Sequence, residues 1–286
     1  MTGHIQDLYF SAGMVILVGA VILAYLVRAQ LRGRARHERT EADGGSRFLN
    51  KASMEMGYWL LEPLVSTLVA ARVTPNQVTA FSLAPAALAA IAAGFGWFGL
   101  ACVLATVGSL CDLVDGVLAR RTGVASDAGE VVDAAIDRYV EYLFLAGLVM
   151  YYRTHWEMLI LILAAILGSF MVSYTTAKAE AMGVTPPRGS MRRAERAVYL
   201  LVGAGLTPFS RTLFADTPSH TLREFPIIFA LALVAVVTNV SVVQRFGAIA
   251  EALRAKQGHP PRGRGAANDT GDADLVAERN TPASSI

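Results

Sequence analysis

Four aspartates, Asp112, Asp115, Asp133 and Asp137, carry the strongest chemical signal in this 286-residue chain. They arrive directly after a run, Val73 to Cys111, that holds no Asp, Glu, Lys or Arg. Asp112, Asp115, Gly116, Ala119 and Arg120 stand at i, i+3, i+4, i+7 and i+8 and so share one helical face. Asp133 and Asp137 are i and i+4 on the next helix, with Gly129 a turn before them. Gly116, Ala119 and Gly129 are small, which predicts a close approach of the two helices and convergence of all four carboxylates. Like charges in a low dielectric repel unless something positive lies between them. Oxygen ligands without His or Cys favour hard divalent cations, Mg²⁺, Mn²⁺ or Ca²⁺, over zinc. Two such ions form a clamp for in-line displacement at phosphorus. The competing reading is salt bridging among Asp112, Asp115, Arg120, Arg121 and Arg138; four acids interleaved with small residues favour metal.

These acids must be carried by membrane helices. The chain is 54% hydrophobic, and residues 8–27, 158–177 and 225–244 are each twenty residues free of charge. A helix needs about 20 apolar residues to cross a hydrocarbon core of ~30 Å. The run 73–111 holds nearly two further spans, broken at Gly94–Gly99. Five arginines follow the first span, at 28, 32, 34, 36 and 39, and none precedes it. That asymmetry marks a signal-anchor helix with residues 28–51 in the cytoplasm. Residues 35–46 form a polar linker. Residues 47–72 mix charge with Phe48, Trp59, Leu60, Leu61, Leu64 and Val65, the pattern of an amphipathic interfacial helix bent or ended near Pro63. VTPNQVT at 73–79 supplies a turn and a helix start, with Pro75 presetting φ and Thr74 or Asn76 able to cap. Six spans follow, near 77–95, 99–121, 129–152, 156–181, 194–212 and 224–246. Basic residues gather in alternate loops, at 120–130, 178–196 and after 245. The reading is an all-α polytopic membrane protein. It has a signal-anchor and linker at 1–46, an interfacial helix at 47–72, a six-helix membrane domain at 73–250 and a disordered cytoplasmic tail at 251–286. The site then faces the cytoplasmic side of a cell inner (plasma) membrane. Cys102 and Cys111 have no metal or redox spacing and read as packing residues, and the five histidines are scattered. Nothing in the sequence points to nucleic acid.

The stretch from Asp112 to Asp137, D-x2-D-G-x2-A-R-x8-G-x3-D-x3-D, resembles the signature of the CDP-alcohol phosphotransferases. With VTPNQVT and the six spans, the resemblance covers roughly residues 70–246. It implies that Asp112, Asp115 and Asp133 ligate metal. It makes Asp137 the general base, also in contact with metal, and implies two ions of Mg²⁺ or Mn²⁺. Gly116, Arg120 and Ser126 match positions that hold the CDP of the donor, and Pro75, Asn76 and Thr79 match a segment bordering the nucleotide. The residue types agree with these roles: Gly116 leaves room for a ligand against backbone, and Arg120 suits a pyrophosphate. The implied reaction moves the phosphatidyl group of CDP-diacylglycerol to an acceptor hydroxyl and releases CMP. A homodimer in the bilayer is also implied.

A second stretch, SYTTAKAEAMGVTPPRGSMRRAERAVYLLVGAG (173–205), is similar within this family to bacterial phosphatidylinositol-phosphate synthases. The resemblance places Arg193, Arg196 and Arg245 at the phosphate of the acceptor. Guanidinium pairs bidentately with phosphate, so inositol 1-phosphate is the first acceptor expected. Glycerol 3-phosphate, giving phosphatidylglycerol phosphate, is the second, and serine the third. Where those synthases carry a pocket lysine, this chain has Thr176, with Lys178 half a turn away. Arg192, Arg193 and Arg196 also satisfy the positive-inside pattern, and Arg196 is taken as paired with Glu195. A different class, a divalent-cation transporter or channel lined by the four acids, is disfavoured by the absence of an inverted repeat. A non-catalytic scaffold is disfavoured by the completeness of the motif.

Overall fold

The structure is a computed structural model that describes residues 2–32, 51–185 and 191–257. Within those residues every element of regular secondary structure is an α-helix. The helices are α1 (Thr2–Arg32), α2 (Lys51–Ala70), α3 (Pro75–Gly94), α4 (Phe98–Thr122), α5 (Asp127–Tyr151), α6 (Trp156–Ala181), α7 (Arg193–Leu213), α8 (His220–Arg223) and α9 (Phe225–Lys256). The expected polar linker at 35–46 and the tail from 258 lie outside the described residues. Five helices, α1, α3, α4, α6 and α9, are long and apolar enough to cross a membrane. Helices α5 and α7 are of similar length, but they carry the acids and arginines discussed below.

Six helices close a ring. α3 packs on α4, α4 on α7, α7 on α9, α9 on α6, α6 on α5, and α5 back on α3. Leu145, Leu148, Ile162, Ile227, Leu231 and Val234 fill its middle, all fully buried. Each fully buried aliphatic side chain contributes about 1.5–3 kcal/mol relative to exposure in water. Between helices in lipid, that gain gives way to close packing of small residues. Gly203 shows this: a Cβ there would meet Ala230 Cβ at 2.6 Å, so only glycine lets α7 lie on α9. At Gly147 a Cβ would overlap the Ala90 carbonyl, which seats α5 on α3.

Four expectations change here. First, Gly116 and Gly129 do not bring α4 and α5 together. The two helices touch at few points, and Gly116 instead leaves space over which the Arg120 guanidinium folds. Second, α2 does not end at Pro63 but continues to Ala70, with Leu61 and Val65 on either side of it buried in one cluster with Val114 and Leu118 of α4. Third, α9 continues ten residues past 246, to Lys256, since no proline or second glycine interrupts it before Gly258. Fourth, the short helix α8 was not anticipated. The start of α3 has Thr74 at the cap and Pro75 in the first turn as expected, while α5 begins at Asp127, two residues before the expected 129. Thr74 donates its backbone N–H to Gln77 Oε1 at 2.9 Å with Pro75 in the first turn, and Ser126 caps α5 by accepting from Gly129 N at 3.2 Å.

Candidate active site

The acids sit near the C-terminal end of α4 and the N-terminal half of α5, facing each other across the gap those two helices leave. Asp112, Asp133 and Asp137 each offer one oxygen, and these oxygens lie within 4.8 Å of one another. Two oxygens on opposite sides of one Mg²⁺, at ~2.1 Å each, would stand about 4.2 Å apart, so the trio is the right size for one ion. Among the described residues, buried Asp133 Oδ1 has no hydrogen-bond partner, a costly state unless a cation meets it. The donors are all carboxylate oxygens, as a hard cation requires. The residues therefore fit a divalent metal.

Asp115 stands outside this trio. It is 4% exposed, and the Thr79 hydroxyl donates to its Oδ2 at 2.6 Å. Thr79, expected beside the nucleotide, thus orients a carboxylate from the start of α3. Asn76 and Ser126 do come together: a Cβ on Gly129 would lie 3.2 Å from Ser126 Oγ and 3.8 Å from Asn76 Oδ1. The turn before α3 and the cap of α5 therefore border one space, and Arg120 reaches back over Gly116 on α4.

The arginines of α7 depart most from expectation. Arg193 enters the acid trio. Its Nη1 lies 2.5 Å from Asp137 Oδ2 and donates to both oxygens of Asp112 at 3.1 Å. Arg196 is 1% exposed. It donates from Nε and Nη2 to the two oxygens of Glu141, at 2.7 and 3.0 Å. Its expected partner Glu195 instead accepts the Arg192 N–H at 3.0 Å and caps α7. A salt bridge therefore occupies the fork that was assigned to an acceptor phosphate. Glu141 was not singled out in the sequence; its place one turn after Asp137 was the available signal. Of the arginines in the competing salt-bridge reading, Arg121 pairs outside the motif, with Glu62 of α2 at 2.6 Å, and Arg138 stands 3.9 Å from Asp137.

Arg245, on α9, is 8% exposed. It donates to the Thr176 hydroxyl at 2.6 Å and reaches the Val172 carbonyl at 3.4 Å. Its buried Nε has no partner among the described residues. It lies in electrostatic reach of Arg196, so α7 and α9 present their cations toward each other.

Comparison with known proteins places these features in one lineage. Residues 72–238 match the model of the CDP-alcohol phosphatidyltransferase family. A phosphatidylinositol phosphate synthase of Mycobacteroides abscessus is 32% identical over 197 residues, covering 66% of this chain and 83% of that protein. An archaetidylinositol phosphate synthase of Pyrococcus horikoshii is 33% identical over 145 residues, covering 50% of this chain and 76% of that protein. Crystal structures of Mycobacterium tuberculosis phosphatidylinositol phosphate synthase are similar at 26% identity. The complex with manganese and citrate has a TM-score of 0.57 and covers 65% of this chain and 87% of that one. The form with CDP-DAG bound has a TM-score of 0.56, with 65% and 92% covered. With the acid motif, the six-helix ring and a family match over more than half its length, the chain belongs to the CDP-alcohol phosphatidyltransferase family of membrane enzymes.

Proposed function

We propose that this enzyme transfers the phosphatidyl group of CDP-diacylglycerol to inositol 1-phosphate at the cytoplasmic face of the membrane. The observation that carries the acceptor is Arg245. It is a buried guanidinium that, among the described residues, donates to a hydroxyl and a carbonyl and leaves one donor unmet. A buried cation without a carboxylate is costly, and a phosphate arriving with the acceptor supplies the missing charge. Similarity to synthases that make phosphatidylinositol phosphate supports the same acceptor.

In this reading Asp112, Asp133 and Asp137 hold the metal, with Asp115 as the fourth acid, oriented by Thr79. A divalent ion held there would neutralise charge on the phosphates of the donor. Asn76, Ser126, Gly116 and Arg120 border the nucleotide. Arg245 and Arg193 orient the acceptor through its phosphate. Asp137 takes the proton of the acceptor hydroxyl. The freed oxygen bonds to the lipid-side phosphorus as the bond from that phosphorus to the CMP oxygen breaks. CMP leaves, its charge met by Arg120. Basic residues on the acid end of the bundle, Arg120, Arg121, Lys178, Arg192 and Arg193, support a cytoplasmic orientation. A homodimer belongs to this reading and is checked by cross-linking in native membranes.

The test is an acceptor panel. Membranes with the protein, CDP-diacylglycerol and Mg²⁺ receive inositol 1-phosphate, glycerol 3-phosphate, serine or free inositol, and CMP release and lipid product are measured. Release with inositol 1-phosphate is expected. Release with glycerol 3-phosphate alone would move the assignment to phosphatidylglycerol phosphate synthesis. Asp137→Asn should cut release by about 10²–10⁴-fold, the usual worth of a general base; intact release would remove Asp137 from that role.

A further inference from the structure

Helices α5 and α7 are joined at this end by two ion-pair rungs. Asp137 and Glu141 are i and i+4 on α5; Arg193 and Arg196 are i and i+3 on α7. The rung between Arg196 and Glu141 is bidentate and largely shielded, its side chains 1% and 9% exposed. The rung between Arg193 and Asp137 is different. Arg193 is 28% exposed in its side chain, and it lies among oxygens that also fit a metal. Arg138, the other cation near Asp137, stands 3.9 Å away and gives Nη1 to the Ala134 carbonyl. Arg193 is thus the cation seated on two acids of the trio, while Asp133 keeps an unmet buried oxygen.

We propose that Arg193 is an exchangeable counter-ion. It neutralises Asp112 and Asp137 when no metal is bound, and is released toward the phosphate of the acceptor when metal takes those oxygens. This rests on the reading above that the trio holds metal. A divalent ion on Asp112 and Asp137 would repel the guanidinium now in contact with both. The fixed rung keeps α7 in place, so only the side chain of Arg193 has to move. Its next anion is then the acceptor phosphate, near which Arg245 waits on α9. Metal loading and acceptor capture are coupled through one side chain, and Arg193 acts as a positioning residue for both.

Linkage makes this testable without turnover. The purified full chain in detergent is titrated with Mn²⁺, free Mn²⁺ being followed by electron paramagnetic resonance. Arg193→Gln should bind Mn²⁺ about tenfold more tightly or better, the scale of one lost charge-assisted contact. Arg193→Lys, which keeps the charge, should stay closer to the native chain. Metal-free Arg193→Gln should melt lower than the native chain and gain more in melting temperature from Mn²⁺, a readout that survives if the variant is fragile. Inorganic phosphate should tighten Mn²⁺ binding in the native chain more than in Arg193→Gln. Unchanged or weaker Mn²⁺ binding in Arg193→Gln, or equal phosphate effects in both, overturns the exchange. If neither chain binds Mn²⁺, the metal reading of the trio falls, and the exchange falls with it.

Discussion

At the scale of single residues, the site depends on acids being met by specific donors rather than by solvent. Asp115 is the clearest case. It is buried, and Thr79 reaches it from a different helix, 36 positions earlier in sequence. Thr79→Val keeps the shape of the side chain and removes the hydroxyl. A buried acceptor left unmet costs about 1–3 kcal/mol, and loss of a group that orients a metal-site ligand typically costs about 10–100-fold in affinity or activity. Thr79→Val is therefore expected to lower both the melting temperature and CMP release by these amounts, while Thr79→Ser retains most of each. Release equal to the native rate in Thr79→Val would show that Asp115 needs no orienting partner. The identities and helical register of all four aspartates were legible in the sequence, because spacing at i, i+3 and i+4 dictates a shared face. The partners were not. Thr79 and Arg193 meet the acids, and Glu141 meets Arg196, through tertiary packing, and a charge read along the chain points only to near neighbours, as the expected pairing of Arg196 with Glu195 illustrates.

At the scale of helices, α4 carries Asp112, Asp115 and Arg120, and it is gripped at both ends by elements outside the matched family region. At its start, Asp7 of α1 accepts the Leu100 N–H at 3.0 Å and is 2% exposed, a helix cap supplied by another helix. Gly99 is needed there, since a Cβ would overlap the Asp7 backbone oxygen. At its end, Glu62 of α2 pairs with Arg121. Helices α1 and α2 are themselves joined by Tyr25 with Glu55 at 3.4 Å, and by Arg28 over the Trp59 ring at 5.8 Å. Asp7→Ala should lower stability by about 1–2 kcal/mol, the worth of a lost cap, seen as a lower melting temperature in detergent with the acceptor KM unchanged. A changed KM at native stability would instead place α1 in the catalytic geometry. Apolar runs announced α1, α3, α4, α6 and α9, whereas the partners of α5 were misread. Small residues on α4 and α5 suggested direct packing, but the crossing that fixes α5 is Gly147 on Ala90 of α3, in a segment without chemistry to draw attention.

At the scale of the whole molecule, two polar clusters lie at opposite ends of the ring with an apolar middle between them. Arg211 is eighteen residues beyond Arg193 on the same helix, about 27 Å at ~1.5 Å per residue. There it donates to Glu224 Oε1, the Tyr151 hydroxyl and the Gly96 carbonyl, each at 2.7 Å, and covers the Phe98 ring at 4.5 Å. Tyr151 also donates to Glu224. One arginine thus ties the α3–α4 turn, α5, α7 and the start of α9, and so sets how the helices carrying the acids diverge at the far end. Breaking a buried pair by removing one partner leaves an uncompensated charge and costs about 3–5 kcal/mol, whereas replacing both is far milder. Arg211→Met is therefore expected to be strongly destabilising, and the double variant Arg211→Met with Glu224→Gln to recover part of that loss. The measurement is denaturation in detergent for the two single variants and the double, read as a double-mutant cycle. The hydrogen bonds from Tyr151 and to Gly96 are shared with the pair, so recovery should be partial. A double variant as unstable as the sum of the singles would mean that Arg211 holds the ring through Gly96 and Phe98 alone, and that Glu224 is independent of it.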